Sequence, residues 1–137
     1  MGRSKGIVKK KIVYIRKGTY PIEEVYNAVK DVLFEEKKVF VNVDGDMVKG
    51  NSQRYQTFFT NGIKCACCGI EGKYFAKERN PNVKRFHLNL YAIDQDGNEI
   101  MMTKDHIIPV SKGGKDMLEN YQTMCMKCNV AKGNKTV

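Results

Sequence analysis

No stretch of the 137 residues approaches the run of about 20 apolar residues that a membrane span requires. The expectation is a soluble chain with no membrane partner. Residues 1–17 are basic, yet they hold neither a continuous apolar core nor a small-residue cleavage site, so they do not read as a secretory signal. This points to a cytoplasmic product. There is no internal repeat and no low-complexity segment, which excludes solenoids and long flexible linkers. Histidine is scarce, at two residues, and the cysteine count is odd, at five, which argues against a closed disulfide framework.

The cysteines that are present have an informative spacing. They fall as Cys65, Cys67 and Cys68, then Cys125 and Cys128, which makes two CxxC pairs with one extra thiol inside the first. In a reducing compartment two distant pairs of this kind read as a four-cysteine zinc site, because each short knuckle presents two thiolates to one ion. Redox pairs or an iron-sulfur cluster would be the alternatives, but neither a βαβ pattern nor ferredoxin spacing accompanies them. Cys65, Cys68, Cys125 and Cys128 are the expected zinc ligands, and Cys67 a spectator able to replace a neighbour.

The formal charge of +9 is uneven. Arg3, Lys5, Lys9, Lys10, Lys11, Arg16 and Lys17 precede the first acidic residue, and the rest of the chain is nearly balanced. A block of cations suits a nucleic-acid backbone, since each neutralised phosphate releases condensed counterion. The bland account is a solvated terminus.

Local patterns predict an α+β fold. A strand is expected at 12–15, then a helix announced by Thr19 and Pro21, with Pro21 in the first helical position and Glu23 and Glu24 against the dipole. Ile22, Val25, Tyr26, Val29, Val32 and Leu33 recur at helical spacing and read as its core face. A hairpin over 38–48, turning at Asp44 and Gly45, completes a small α/β extension over 1–50. Ser52 is expected to cap a helix carrying Tyr55, Phe58 and Phe59 that Gly62 ends. Strands follow at 74–77 and 86–93, then a turn at 94–98 and a strand at 99–103 that delivers the chain to Asp105. His87, in the strand at 86–93, reads as an ordinary strand residue facing solvent or a neighbour. Gly113 and Gly114 mark a loop, a short strand follows at 121–124, and the second cysteine pair opens the last helix.

The segment that carries chemistry is Lys104-Asp105-His106-Ile107-Ile108-Pro109, followed by Ser111-Lys112-Gly113-Gly114, Asn120, and Cys125-Met126-Lys127-Cys128-Asn129. This order resembles the HNH endonucleases: an Asp-His pair ending a strand, a Gly-bearing loop, a central Asn, and a CxxC-Asn on a helix. The likeness covers 62–132 and implies a ββα-metal core with four-cysteine zinc knuckles, in a nuclease domain over 51–137. It also assigns roles. Asp105 and Asn129 would hold a catalytic divalent ion, His106 would be the general base, and Asn120 would orient the strand and loop around His106.

An imidazole with an ordinary pKa of about 6.5 can accept a proton from water near neutral pH. Asn129 stands where the family often has His, so the site is an HNN variant. A carboxylate with an amide oxygen makes a hard, oxygen-only set, suited to magnesium or manganese. The structural zinc would be a separate ion, its four sulfurs leaving no open position. Lys104, Lys112, Lys127 and Lys132 flank the site and could contact DNA phosphates, with Lys132 on the site's own helix. Lys9, Lys10 and Lys11 could add to them from the extension.

The resemblance implies a DNA endonuclease leaving 5′-phosphate and 3′-hydroxyl ends. One constellation per chain implies a monomer that nicks duplex DNA, or a homodimer where both strands are cut. Small free-standing members occur in bacteria and phages, so a bacterial cell or a phage-infected host is the expected setting. Two other readings use the same residues differently: a zinc-stabilised nucleic-acid-binding module with a silent site, and an RNA-directed nuclease. No helix rich in Arg, Asn and Gln is evident, so base readout is not predicted.

Overall fold

The computed structural model describes residues 13–133 and is of the α+β class. A five-stranded antiparallel sheet runs in the order β1-β4-β5-β6-β7. Its strands are β1 (Ile15–Pro21), β4 (Tyr74–Arg79), β5 (His87–Ile93), β6 (Glu99–His106) and β7 (Tyr121–Cys125). A separate hairpin joins β2 (Phe40–Val43) to β3 (Asp46–Lys49), and the helices are α1 (Ile22–Val29), α2 (Gln53–Asn61) and α3 (Met126–Lys132). Among the described residues no helix is long and apolar enough to cross a membrane.

The N-terminal elements differ from expectation. The strand begins at Ile15 and runs through Thr19, and Pro21 is the cap before α1 rather than its first residue. Arg16 and Lys17 belong by sequence to a basic block suited to a nucleic-acid backbone, with a solvated terminus as the alternative, but they lie in an edge strand paired with β4. The Arg16 guanidinium bonds Glu78 at 2.7 Å and Glu99 at 2.9 Å, and Lys17 meets Asp46 at 3.0 Å. These two cations are thus engaged by the fold's own carboxylates. Lys9, Lys10 and Lys11 lie outside the described residues.

The helix also stops at Val29, earlier than its apolar stripe, and Val32 and Leu33 follow in turns. The turns still deliver Leu33 to the interior. Val25, Val29, Leu33, Val43 and Val48 of the first fifty residues share one hydrophobic cluster with Phe58, Phe75, Leu90 and Met124. Burying a side chain of this size contributes about 1.5–3 kcal/mol. The extension and the remainder therefore stabilise each other.

The expectations for α2 agree with the structure. Ser52 Oγ accepts the Tyr55 amide at 3.2 Å, Gly62 ends the helix at φ 105°, and Tyr55 and Phe58 are buried.

Two features of the sheet position the site. β6 changes partner along its length, pairing with β5 only from Glu99 to Met101 and with β7 from Met102 to His106. The expected two-stranded hairpin is therefore β6 and β7, built as the edge of a larger sheet. α3 packs against both of its strands.

Candidate active site and metal centre

Alternation along β6 sends neighbouring residues to opposite faces. Thr103 and Asp105 turn toward α3, while Lys104 and His106 turn toward Tyr121. The contacts on each face follow this division. On the helix side, Asn129 and Lys132 sit three residues apart, and so share one face of α3. Asn129 Nδ2 donates to Thr103 Oγ1 at 2.8 Å, and Lys132 Nζ donates to Asp105 Oδ2 at 2.6 Å and to the His106 carbonyl. Gln122 Nε2, across the β6–β7 ladder, donates to the same Asp105 oxygen at 3.0 Å.

Thr103 fixes the orientation of Asn129. Its single hydroxyl proton goes to the Met124 carbonyl at 2.7 Å, so Thr103 Oγ1 can only accept from Asn129. The amide nitrogen of Asn129 is thereby committed, and its oxygen is left as an acceptor. A buried carboxylate and an amide oxygen on facing elements are an oxygen donor set that fits a hard divalent cation. The Lys132 ammonium already supplies positive charge at this place.

On the other face, the His106 ring packs edge-on against Tyr121 with centroids 5.2 Å apart, and His106 Nε2 lies 2.5 Å from Asp116 Oδ1. Lys104 Nζ sits 4.2 Å from the Tyr121 centroid and donates to Gln53 Oε1 at 2.9 Å. Burial lowers the Lys104 pKa, opposed by the nearby Asp116 charge. Tyr121 Oη is the buried side-chain polar atom that lacks a hydrogen-bond partner among the described residues.

The loop between β6 and β7 is held by Asn120. Its Oδ1 accepts the Ile108 amide at 2.9 Å, and its Nδ2 donates to the carbonyls of Ile108 at 3.0 Å and Lys115 at 2.9 Å. Gly113 adopts φ 91°, and a Cβ on Gly114 would meet the Ile108 carbonyl oxygen at 1.7 Å. A 3-10 turn over Val110–Lys112 lies between the two ends of this loop. A cleft of about 250 Å³ opens beside it, lined by Asp105, His106, Pro109, Val110, Ser111 and Lys132 together with Gly133.

Behind α3 the cysteines converge. Sulfurs of Cys65, Cys68, Cys125 and Cys128 all lie within 4.8 Å of one another, with Cys68 and Cys125 at 3.8 Å. A tetrahedral ion with metal–sulfur bonds of about 2.3 Å separates its sulfurs by about 3.8 Å, so the group fits a four-sulfur metal site. Each knuckle turns an amide onto its own first sulfur, Cys68 N to Cys65 and Cys128 N to Cys125, both at 3.5 Å. The first knuckle is tied to β7 by the Ala66 amide, which donates to the Thr123 carbonyl at 2.9 Å. Cys67 is exposed and outside the group.

The thiols titrate unlike one another. Burial opposes ionisation at Cys65, but the Cys125, Cys68 and Cys67 amides with the Cys68 thiol bring it down to about 6. Burial pushes Cys125 up, and at Cys128 burial acts together with the surrounding thiols. Four adjacent thiolates need a cation among them.

The structure thus brings Asp105, His106, Asn120, Asn129 and the four cysteines around one hairpin and helix. The flanking lysines separate. Lys112 and Lys127 are exposed, the latter 3.7 Å from Asp94, whereas Lys132 points inward with its side chain 2% exposed. Asp116, Gln122, Thr103 and Tyr121 were not singled out from the sequence. Strand alternation and the register of β6 with β7 would have signalled Thr103 and Gln122, but nothing in the sequence marks Asp116.

Residues 94–137 match the family model described as HNH endonuclease. No curated protein and no solved structure matches the chain.

Proposed function

Residues 94–137 belong to the HNH endonucleases, and from that premise we propose that the chain hydrolyses phosphodiester bonds in DNA, with His106 as general base. The observation that carries this reading is the division of β6. Asp105 faces Asn129's helix while His106 faces outward beside the loop that Asn120 braces.

In the proposed reaction, the Nε2–H of neutral His106 is donated to Asp116, which leaves Nδ1 as the nitrogen that accepts a proton from the attacking water. The oxygen of that water forms the new bond to phosphorus. The bond from phosphorus to the 3′ oxygen breaks, leaving a 5′-phosphate and a 3′-hydroxyl. Tyr121 and Asp116 hold the imidazole in place throughout. Asp105 and Asn129 would hold the catalytic ion, magnesium or manganese by their hard oxygen chemistry. When bound, that ion supplies stabilisation of charge on the phosphate and on the departing oxygen.

The four-cysteine group is assigned to structural zinc, supported by its all-sulfur donors and its spacing. Residues 51–137 are assigned to the nuclease unit and 1–50 to a basic extension, whose described core residues Val25, Val29, Leu33, Val43 and Val48 pack against that unit. Lys112 and Lys127 remain phosphate contacts in this reading, with Lys104 beside the base. Lys132 serves Asp105 instead.

The test is supercoiled plasmid with magnesium or manganese, run beside matched DNA and RNA duplexes. The purified chain should convert supercoiled to nicked DNA, and His106→Ala should lower the rate by at least 100-fold with zinc content unchanged. Equal cleavage by wild type and His106→Ala removes the assigned base, and preferential cleavage of RNA removes the DNA assignment.

A further inference from the structure

A wide cleft lies away from the residues that carry the chemistry. It encloses about 720 Å³, and its charged lining is Lys38, Lys49, Arg54 and Lys104 together with Glu35 and Glu36. None of these four cations forms an ion pair among the described residues. Arg16, Lys17, Lys77, Lys127 and Lys132 all do. The four lining cations against two carboxylates leave the hollow net positive, a local field that favours a polyanion.

The place of this cleft follows from the fold. β6 leaves β5 beyond Met101, and a second cleft of about 270 Å³, lined by Arg54, His87, Asn89 and Met101 through Lys104, lies where the two strands part. Arg54 and Lys104 line both clefts, which therefore adjoin. Arg54 is fixed to their shared wall by donating to Asn89 Oδ1 at 2.8 Å and to the Leu88 carbonyl at 3.1 Å. At the other end, Lys104 lies on the Tyr121 ring, and the opposite partner of that ring is the His106 imidazole. The buried Tyr121 ring thus connects the Lys104 end of the clefts to the proposed base.

We infer that this cleft, built by β3, the amino end of α2 and β6, carries the phosphate backbone of the nucleic acid away from the cleavage site. The inference rests on the nuclease reading and extends it to residues outside the family match, since Lys38, Lys49 and Arg54 all precede residue 94. Their contacts are with phosphate rather than base edges, so they contribute affinity and register without sequence preference.

Binding of a labelled 20-base-pair DNA duplex across a potassium chloride series, with no added divalent metal, tests it. Each phosphate contact contributes about 0.9 to the slope of log affinity against log salt. Lys38→Ala/Lys49→Ala should therefore reduce that slope by about 1.8 and weaken binding at fixed salt by at least tenfold. Lys64→Ala/Lys73→Ala, with the same loss of charge at exposed residues that line neither cleft, should change the slope by less than half as much. Equal effects of the two pairs, or none from the first, overturn the track while leaving plasmid nicking by the wild type intact. A wild-type chain that neither binds nor nicks DNA overturns the nuclease reading as well. Both variants are checked for an unchanged urea midpoint before comparison.

Discussion

Lys132 is the residue whose role changes most between sequence and structure. On a basic helix next to the site it reads as a phosphate contact, yet its ammonium is buried against the Asp105 carboxylate and the His106 carbonyl. Removing one member of a buried pair leaves the other charge uncompensated, which costs about 3–5 kcal/mol. Lys132→Met should therefore destabilise the chain by about 3 kcal/mol in urea unfolding. Adding Asp105→Asn should recover more than half of that loss, and strictly additive losses would show that the two groups do not interact.

His87 gives a second prediction for a single side chain. Burial, with a contribution from the Arg54 charge, lowers its folded pKa below the ordinary 6.5, partly opposed by Glu78. The folded state therefore binds its proton less readily than the unfolded chain. Stability from this residue is complete above about pH 6.5 and is lost as pH falls through the lower folded value. Urea midpoints at pH 7.5 and 5.5 should fall on the acid side, and His87→Asn should flatten the difference. An unchanged pH slope in that variant would remove His87 as its source.

Among the elements, the loop between β6 and β7 is the most constrained. Gly114 has no room for a side chain, because the Ile108 carbonyl occupies the space where a Cβ would sit, and Asn120 closes the same loop from the other direction. Gly114→Ala must push the loop outward and take Asp116 with it. The expected outcome is a loss of nicking of at least 30-fold with a urea midpoint lowered only slightly, because the loop buries few apolar groups. A variant with unaltered nicking would show that the position of Asp116 is immaterial.

Elements with strong local signals were legible from the sequence: α2 between Ser52 and Gly62, the turn at Asp44 and Gly45, and the two knuckles. β1 was not, because its strand character comes from pairing with β4 some sixty residues away and from carboxylates that accept Arg16. At the site, Asp105, His106, Asn120 and Asn129 are reached through the family resemblance, and the structure brings them around one hairpin and helix. Asp116 could not, since its contact with His106 depends on how a loop folds back. Nor could the cleft of Lys38, Lys49 and Arg54, whose members approach Lys104 only through tertiary structure.

At the scale of the whole molecule, the four cysteines join two distant stretches of chain at the back of the site. Helix α3 begins inside the second knuckle, with Cys125 as its cap, so the face bearing Asn129 and Lys132 is oriented by whatever holds those sulfurs. Chelation of the ion proposed there, or Cys65→Ser, should accordingly abolish soluble folding of the chain rather than merely lower activity. Zinc content by mass spectrometry and the far-ultraviolet spectrum check this together. A folded, stable Cys65→Ser protein with full zinc would refute the assignment of that ligand.

The divided strand also sets rules for how this chain can change in length. One residue inserted between Met101 and His106 would send each later side chain to the opposite surface, exchanging the carboxylate with the imidazole while leaving composition almost untouched. Two inserted residues would restore the faces but displace both groups by about 7 Å along the ribbon. The turn at 94–98, which joins β5 to the opposite end of β6, carries no such parity. Variation in length among descendants of this sequence should therefore gather there and be absent from the last five residues of β6.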